Sequence, residues 1–473
     1  VANRATVVRR HEMKTGLNRL VTVGRVIQEE QGCGVYAVDA FGGHAGLPLA
    51  VVLPGNVREV TQVLRFCYES GLKVFPRGAG TSLVGGAVGA ADGIVLCLSL
   101  MNRLLELDPD NRLVRVEAGM TTAAISSAAA GKGLRYAPDP ASKRATTIGG
   151  NIATNAGGAR AMCFGATGQH VLALRFALID GEVIELGGGE LEPSGLDLVG
   201  LVVGSEGMLG VVVEATLRLV PVPSARRVIL LGFQSMSAAI ACAGQVATGV
   251  AVTTMEVFDR QVVGVCEDFA SAGLPRDVEA LLAIELEGEE DEVAALAEEV
   301  LSNAANAAPT VQLDVADVAH IERIWQALDA AFTALGRLGT IQCVDIAVPP
   351  SRLAESMSNV GDIAAHHNLA GASMCRALEG IVRSVFLYDR GNPEEVARIR
   401  EAIADVARMT REIGGVLAGE HGLGIAKRDA LTYKLAAHDM NLQVRLKSAF
   451  DAEWLLNNGK VYPLAEQPAQ AQA

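Results

Sequence analysis

Several common signatures are missing from this 473-residue chain. No run reaches the ~18 uncharged apolar residues that a membrane helix needs. The longest candidate, Ala238 to Met255, is mostly Ala, Gly, Thr and Val with Gln245 inside, and reads as a packed helix followed by a strand. No cluster of Lys and Arg stands out, and 40 basic against 54 acidic residues leave a net charge of −14. That balance disfavours nucleic acid, because phosphate binding needs concentrated positive charge. The eight cysteines (Cys33, Cys67, Cys97, Cys163, Cys242, Cys266, Cys343, Cys375) never form a CxxC pair or stand beside a histidine at ligand spacing. Neither an iron-sulfur cluster nor a structural zinc is therefore written locally, and reduced, mostly buried thiols are expected. No apolar stretch with a cleavage site follows the charges of Val1 to Lys14, so no secretory signal is expected and a cytoplasmic location is the default.

What is present is length and glycine. At roughly three times the ~150 residues that serve as a prior for one domain, the chain should hold two or three. Glycine numbers 51, and the excess lies between positions 71 and 210. Pro48 to Pro54 predicts a short strand, and Val57 to Ser70 sets Val60, Val63, Leu64 and Cys67 at helical spacing. Further strands are predicted over Val74 to Pro76, Ile94 to Leu98, Leu113 to Glu117 and Met208 to Val220. Leu172 to Leu186 reads as a hairpin about Asp180-Gly181, a pair that tolerates the positive φ such turns require. From about residue 224 glycine thins out, and strands such as Val228 to Phe233 and Ala280 to Leu286 alternate with amphipathic helices. The last of these helices is marked by Asn392 as N-cap, Pro393 at its first position and Gly414 past its end. The stretch to Tyr462 is expected to fold back, and Glu466 onward to fray.

Three glycine-rich segments carry the chemistry. Pro76, Arg77, Gly78, Ala79, Gly80, Thr81 and Ser82, continuing to Gly85 and Gly86, follow a strand directly. Residues without Cβ let backbone N–H groups approach a phosphate, although a merely tight connection would look alike. The loop is not a Rossmann fingerprint, because a strand rather than a helix with a later acidic residue follows, and no Gly-Lys-Ser/Thr marks a P-loop. Pro138 to Ser142 with Thr146 to Gly158 repeats the pattern with amides and hydroxyls added, and Gly204 to Gly210 is the third.

Together these segments resemble the flavin site of the FAD-linked oxidases with the vanillyl-alcohol oxidase type of fold. The similarity is to the branch holding the glycolate oxidase flavoprotein subunit, D-lactate dehydrogenase and D-2-hydroxyglutarate dehydrogenase. It spans Pro48 to Val461 and includes Gly419-Glu-His-Gly-Leu-Gly-Ile-Ala-Lys427 and Leu455-Leu-Asn-Asn-Gly-Lys-Val461, where the family usually has Asn-Pro-Gly-Lys. The resemblance implies an α+β chain: a two-part FAD-binding domain over residues 1–222, an α+β cap domain of antiparallel sheet and helices over 223–415, and a C-terminal segment over 416–473 returning to the flavin. It places the pyrophosphate on the Pro76 to Gly86 loop. Pro138, Ser142, Thr147, Gly149, Gly150, Asn151, Ala153 and Asn155 would serve the isoalloxazine side, Glu206, Gly207 and Gly210 the adenosine half, and Asn457 would close over the flavin. Members with histidyl-linked flavin carry His where this chain has Thr81, so FAD should be held non-covalently.

His421 sits in a glycine-flexed turn after Glu420, and a group with an ordinary pKa near 6.5 suits a general base. In the family this His takes the hydroxyl proton, and the preceding Glu shares a metal with two histidines spaced H-x6-H. Here Arg376 and Arg383 occupy those two places, so no metal is expected. They read as an anion clamp for substrate, as charge partners of Glu420, or as an exposed pair on a sheet edge. Both can point inward if Gly380 breaks the pleat. The family's substrate-carboxylate positions fall near Leu328, Phe332 and Cys343, and the adjacent His366 and His367 are expected to face solvent. Two readings follow. One is an FAD-dependent dehydrogenase of 2-hydroxyacid-like or other secondary alcohols, acting on a small molecule and passing electrons to a separate acceptor such as an iron-sulfur or electron-transferring flavoprotein subunit, as a homo-oligomer. The other is a diverged flavoprotein subunit of a larger redox complex.

Overall fold

The computed structural model describes residues 13, 15–22, 24–40, 46–188, 195–417, 419–433 and 435–463. The segment from Glu466, expected to fray, lies outside the described residues. A four-stranded sheet runs in the order Val26–Ile27, Ala50–Val52, Gly93–Cys97, Lys73–Arg77, and its last three strands are parallel. Gly93–Cys97 is buried throughout, as its unbroken apolar run requires of a strand covered on both faces. Helix Val57–Ser70 covers this sheet. Asn56 caps it by accepting from Glu59 N at 3.0 Å, and it buries Val60, Val63, Leu64 and Cys67, as the spacing predicts.

A five-stranded antiparallel sheet follows in the order Leu104–Asp108, Leu113–Glu117, Val211–Arg218, Val171–Ala177, Val183–Gly187. The predicted hairpin is there, turning at Asp180 and Gly181. The two sheets share one apolar core that includes Leu96, Val116, Leu174, Val213 and Leu456.

From Ala225 the chain builds a seven-stranded antiparallel sheet in the order Val311–Val315, Ala225–Phe233, Ala280–Gly288, Thr254–Asp259, Ala370–Arg376, Ile381–Tyr388, Thr340–Ala347. Helices cover both faces, and each face has its own core. Helix Pro393–Glu412 starts as predicted, with the Asn392 side chain accepting from Glu394 N at 3.1 Å. The C-terminal segment does fold back. Leu455 O accepts from Val74 N at 2.8 Å and Asn457 N donates to Val74 O at 2.9 Å, which adds a short parallel bridge beside the first sheet. No helix among the described residues is long and apolar enough to cross a membrane. The eight cysteines are free and, apart from Cys163, buried.

Candidate active site

A cavity of about 740 Å3 opens where the loops of the first two sheets, the helices over the third and the C-terminal turn meet. Its wall includes every residue from Pro76 to Ser82, with Gly86, Ser142, Thr147, Gly149, Gly150, Asn151, Ala153, Glu206, Gly207, Gly210 and Asn457. Three expected contacts stand outside this wall: Gly85, Pro138 and Asn155. Asn155 instead ends helix Ile148–Thr154 in the left-handed conformation, and its Oδ1 accepts from Gly168 N at 2.9 Å, so its polar end is occupied.

The wall fits a large, acceptor-rich group. Gly78 packs so closely that a Cβ there would come within 2.2 Å of Thr147 Oγ1, so a side chain is excluded where backbone must approach a ligand. Asn151 is 3% exposed. Its Oδ1 accepts from Thr146 Oγ1 at 2.8 Å, while its Nδ2 has no hydrogen-bond partner among the described residues. A buried amide donor left free on a cavity wall calls for an acceptor from the ligand. Thr81, at the position where a linking histidine would stand, donates to Thr146 Oγ1 at 3.4 Å.

The C-terminal segment is tied into this wall. Glu206 turns its carboxylate to the turn after His421, accepting from Leu423 N at 2.8 Å and Gly424 N at 2.9 Å. Asn457 Nδ2 donates to Glu206 O at 2.6 Å, and Lys460 Nζ donates to Gly86 O at 2.7 Å and to Asn457 Oδ1 at 3.0 Å. Burial pushes the Lys460 ammonium down to about 7.

Asp345, in the middle of strand Thr340–Ala347 and fully buried, anchors the turn from behind. Its Oδ2 accepts from Glu420 N at 2.6 Å and His421 N at 3.1 Å, and Lys427 Nζ pairs with its Oδ1. His421 Nδ1 lies 3.3 Å from the same Oδ1, with 18% of the side chain exposed on the cavity. Burial works against a charged ring here, but the Asp345 carboxylate outweighs it and pushes the imidazole up to about 10. Asp345 moves the other way: burial opposes its charge, yet Lys427 and His421 hold it well below the carboxylate range. Phe332 stacks edge-on against the imidazole at 6.0 Å between ring centres.

Both arginines enter the site. Arg376 ends one strand and Arg383 sits in the next, and the hairpin between them turns through Gly380 at φ +69. Strand Ile381–Tyr388 lies between two others, so the pair is not on a sheet edge. Arg376 donates through Nη2 to Glu420 Oε1 at 2.7 Å and through Nε to Glu256 Oε1 at 3.0 Å, and Arg383 Nη2 donates to the same Glu256 oxygen at 2.9 Å. Burial would raise Glu420, but the two guanidiniums hold its carboxyl at about 2. The expected carboxylate positions carry apolar side chains: Leu328 and Cys343 are buried, at 3% and 5% exposed, and Phe332 lies on the cavity wall. His366 is exposed as expected, whereas His367 is buried and its Nε2 bonds Asp405 Oδ2 at 2.7 Å, because the side chain packs between two helices that supply an acid.

Sequence reading missed Glu256 and Asp345 and assigned no role to Lys427 or Lys460. A signal was available for the two acids. Each is a carboxylate flanked by apolar residues inside a strand, Met255 and Val257 about Glu256 and Val344 and Ile346 about Asp345, and a buried charge demands a partner.

Residues 48–187 match the family described as FAD binding domain, and residues 222–461 match FAD linked oxidases, C-terminal domain. The chain is 35% identical over 437 residues to the glycolate oxidase subunit GlcD of Escherichia coli (strain K12), covering 92% of this chain and 88% of that protein. It is 34% identical over 415 residues to a D-lactate dehydrogenase of Archaeoglobus fulgidus, covering 87% and 90%. The fold is also that of the 4-ethylphenol oxidase from Gulosibacter chungangensis, with a TM-score of 0.80 at 15% identity over 99% of each chain. With the cavity and its loops in view, the chain belongs to the FAD-linked oxidase family, and FAD is its cofactor.

Proposed function

We propose that this oxidoreductase is a dehydrogenase that oxidises a small 2-hydroxyacid-like or other secondary alcohol. The carrying observation is that His421, backed by Asp345, lines the same cavity as the three glycine-rich segments. When bound, FAD supplies the hydride acceptor. The chain's own part is to hold the alcohol against the cavity wall and accept its hydroxyl proton at His421 Nε2, the ring nitrogen not turned to Asp345. Asp345 then stabilises the imidazolium. The divalent ion implied by the resemblance does not fit the residues present. Arg376 and Arg383 have no lone pair to offer a cation, and their guanidiniums already engage Glu420. Their engagement favours the reading as charge partners over that of an anion clamp.

Anaerobic mixing with a panel of 2-hydroxyacids and secondary alcohols tests the proposal, and at least one should bleach the flavin, with no change on adding chelator. If none does, the activity reading fails. That outcome would favour the second reading, a flavin-carrying subunit that depends on partners, which the name of the Escherichia coli relative as a subunit supports. Electrons would then leave to a separate acceptor, such as an iron-sulfur or electron-transferring flavoprotein subunit.

A further inference from the structure

Taking charges out of water often offsets the attraction they gain, so a buried ion cluster is a weak source of stability. Glu256, Arg376, Arg383 and Glu420 make such a cluster beside the cavity, with the first three 4%, 4% and 6% exposed. The central contact is a single atom. Glu256 Oε1 accepts from Arg376 Nε at 3.0 Å and from Arg383 Nη2 at 2.9 Å. Arg376 passes the contact on through Nη2 to Glu420 Oε1 at 2.7 Å, and Arg383 Nε stands 3.7 Å from Glu420 Oε2. Glu420 immediately precedes His421, and Asp345 binds the backbone N–H of both. The turn bearing His421 is thus held by its backbone from strand Thr340–Ala347 and by the Glu420 side chain from the arginines.

We infer that these four residues form an ion-pair cluster that aims His421, and that Glu256 is a positioning residue acting through the two arginines. This rests on the reading of His421 as the proton acceptor. The two guanidiniums face the buried carboxylates of Glu256 and Glu420, and Glu379, 22% exposed, stands at the rim with its Oε2 3.8 Å from Arg376 Nε. Its base is rigid: Glu256 lies on the middle strand of the seven-stranded sheet, in register with Arg376 on the neighbouring strand. A group aimed from a strand interior is held more tightly than one aimed from a loop. Misplacing a catalytic group by about 1 Å can cost on the order of 100-fold in rate.

The test uses FAD-loaded protein as wild type, Glu256→Gln, and Glu256→Gln combined with Arg383→Gln, which restores charge balance. Trp325 lies on the wall of the small side cavity together with both arginines, and its fluorescence reports there. Sodium formate should bind Glu256→Gln at least tenfold more tightly than wild type, and the balanced double variant should return to the wild-type value. With an alcohol that bleaches wild-type flavin, Glu256→Gln should be reduced about 10- to 100-fold more slowly at unchanged FAD content. Equal formate affinity in wild type and Glu256→Gln, or reduction of Glu256→Gln at the wild-type rate, would overturn the inference. Should the single variant fail to fold, the double variant decides: reduction at the wild-type rate overturns the positioning role, and slowed reduction supports it. If no alcohol bleaches the wild type, the activity reading is what has failed. The formate comparison and the His421 ring signals in a 15N-histidine spectrum then decide the cluster, with unmoved ring signals in Glu256→Gln overturning it.

Discussion

At His421 the Asp345 carboxylate both holds the turn by its backbone and governs protonation of the ring. Asp345 holds the backbone N–H groups of the turn and faces the imidazole at 3.3 Å, pushing it up to about 10 from an ordinary 6.5. General-base help is worth about a hundred- to ten-thousand-fold, so His421→Ala should slow flavin reduction by at least the lower figure while FAD content stays unchanged. Stopped-flow reduction at the wild-type rate would remove His421 from the mechanism. The raised value also fixes a sign. The proton-accepting form is scarce at neutral pH, so reduction by a fixed substrate should accelerate as pH rises from 7 towards 10. Asp345→Asn should move that rise to lower pH, and an unmoved profile would show that another group sets it. In stability the same shift acts in reverse. A folded pKa above the unfolded one contributes fully below the unfolded value and is lost as pH climbs through about 10.

At the scale of the element, the C-terminal helix shows how a late segment is locked to an early sheet. Lys447 is fully buried in helix Ala437–Phe450. Its Nζ donates to Met208 O at 2.7 Å, to Leu456 O at 3.2 Å and to Asp451, whose carboxylate also takes Leu455 N and Leu456 N. Lys447→Met would leave the Asp451 carboxylate buried without its counter-charge, which costs about 3–5 kcal/mol. Denaturant titration of FAD-loaded protein should show that loss, and a change under 1 kcal/mol would mean that the pair relaxes. Elements of this kind were legible where their signals are local. Asn392 caps its helix from the adjacent residue, and Asp180-Gly181 carries its turn geometry within itself. The cluster at the site was half legible. The inward turn of Arg376 and Arg383 is expected from a pleat broken at Gly380, whereas Gly380 turns a hairpin between two strands; Glu256 lies 120 residues from Arg376 in sequence and Asp345 lies 75 from Glu420. Nothing local pairs residues so far apart. Only the strand order of the seven-stranded sheet brings them together.

At the scale of the whole molecule, charge stitches the flavin loops to the large sheet. Arg160, itself paired with Asp139, reaches Glu285 on the sheet at 3.4 Å, Arg135 donates to Glu287 on the same strand at 2.8 Å, and Lys143 bridges to Asp329 at the end of a helix over that sheet at 3.2 Å. The cavity is walled from the same two sides, by the Pro76 to Ser82 loop on one and by Trp325 and Phe332 on the other, with His421 completing it. A cofactor filling it touches both halves of the chain, so its binding free energy should stabilise the fold as a unit. A ligand at a hundred times its dissociation constant adds about 2.7 kcal/mol to the native state. Stripping FAD should therefore lower the melting temperature in a single cooperative transition, and added FAD should raise it again in a concentration-dependent way. Because Thr81 stands where a linking histidine would be, the flavin should also leave the protein on acid precipitation. Flavin remaining in the acid pellet would show a covalent link formed through another residue. Two separated melting transitions after stripping would show that the ion pairs between the flavin loops and the large sheet do not join the halves without the cofactor.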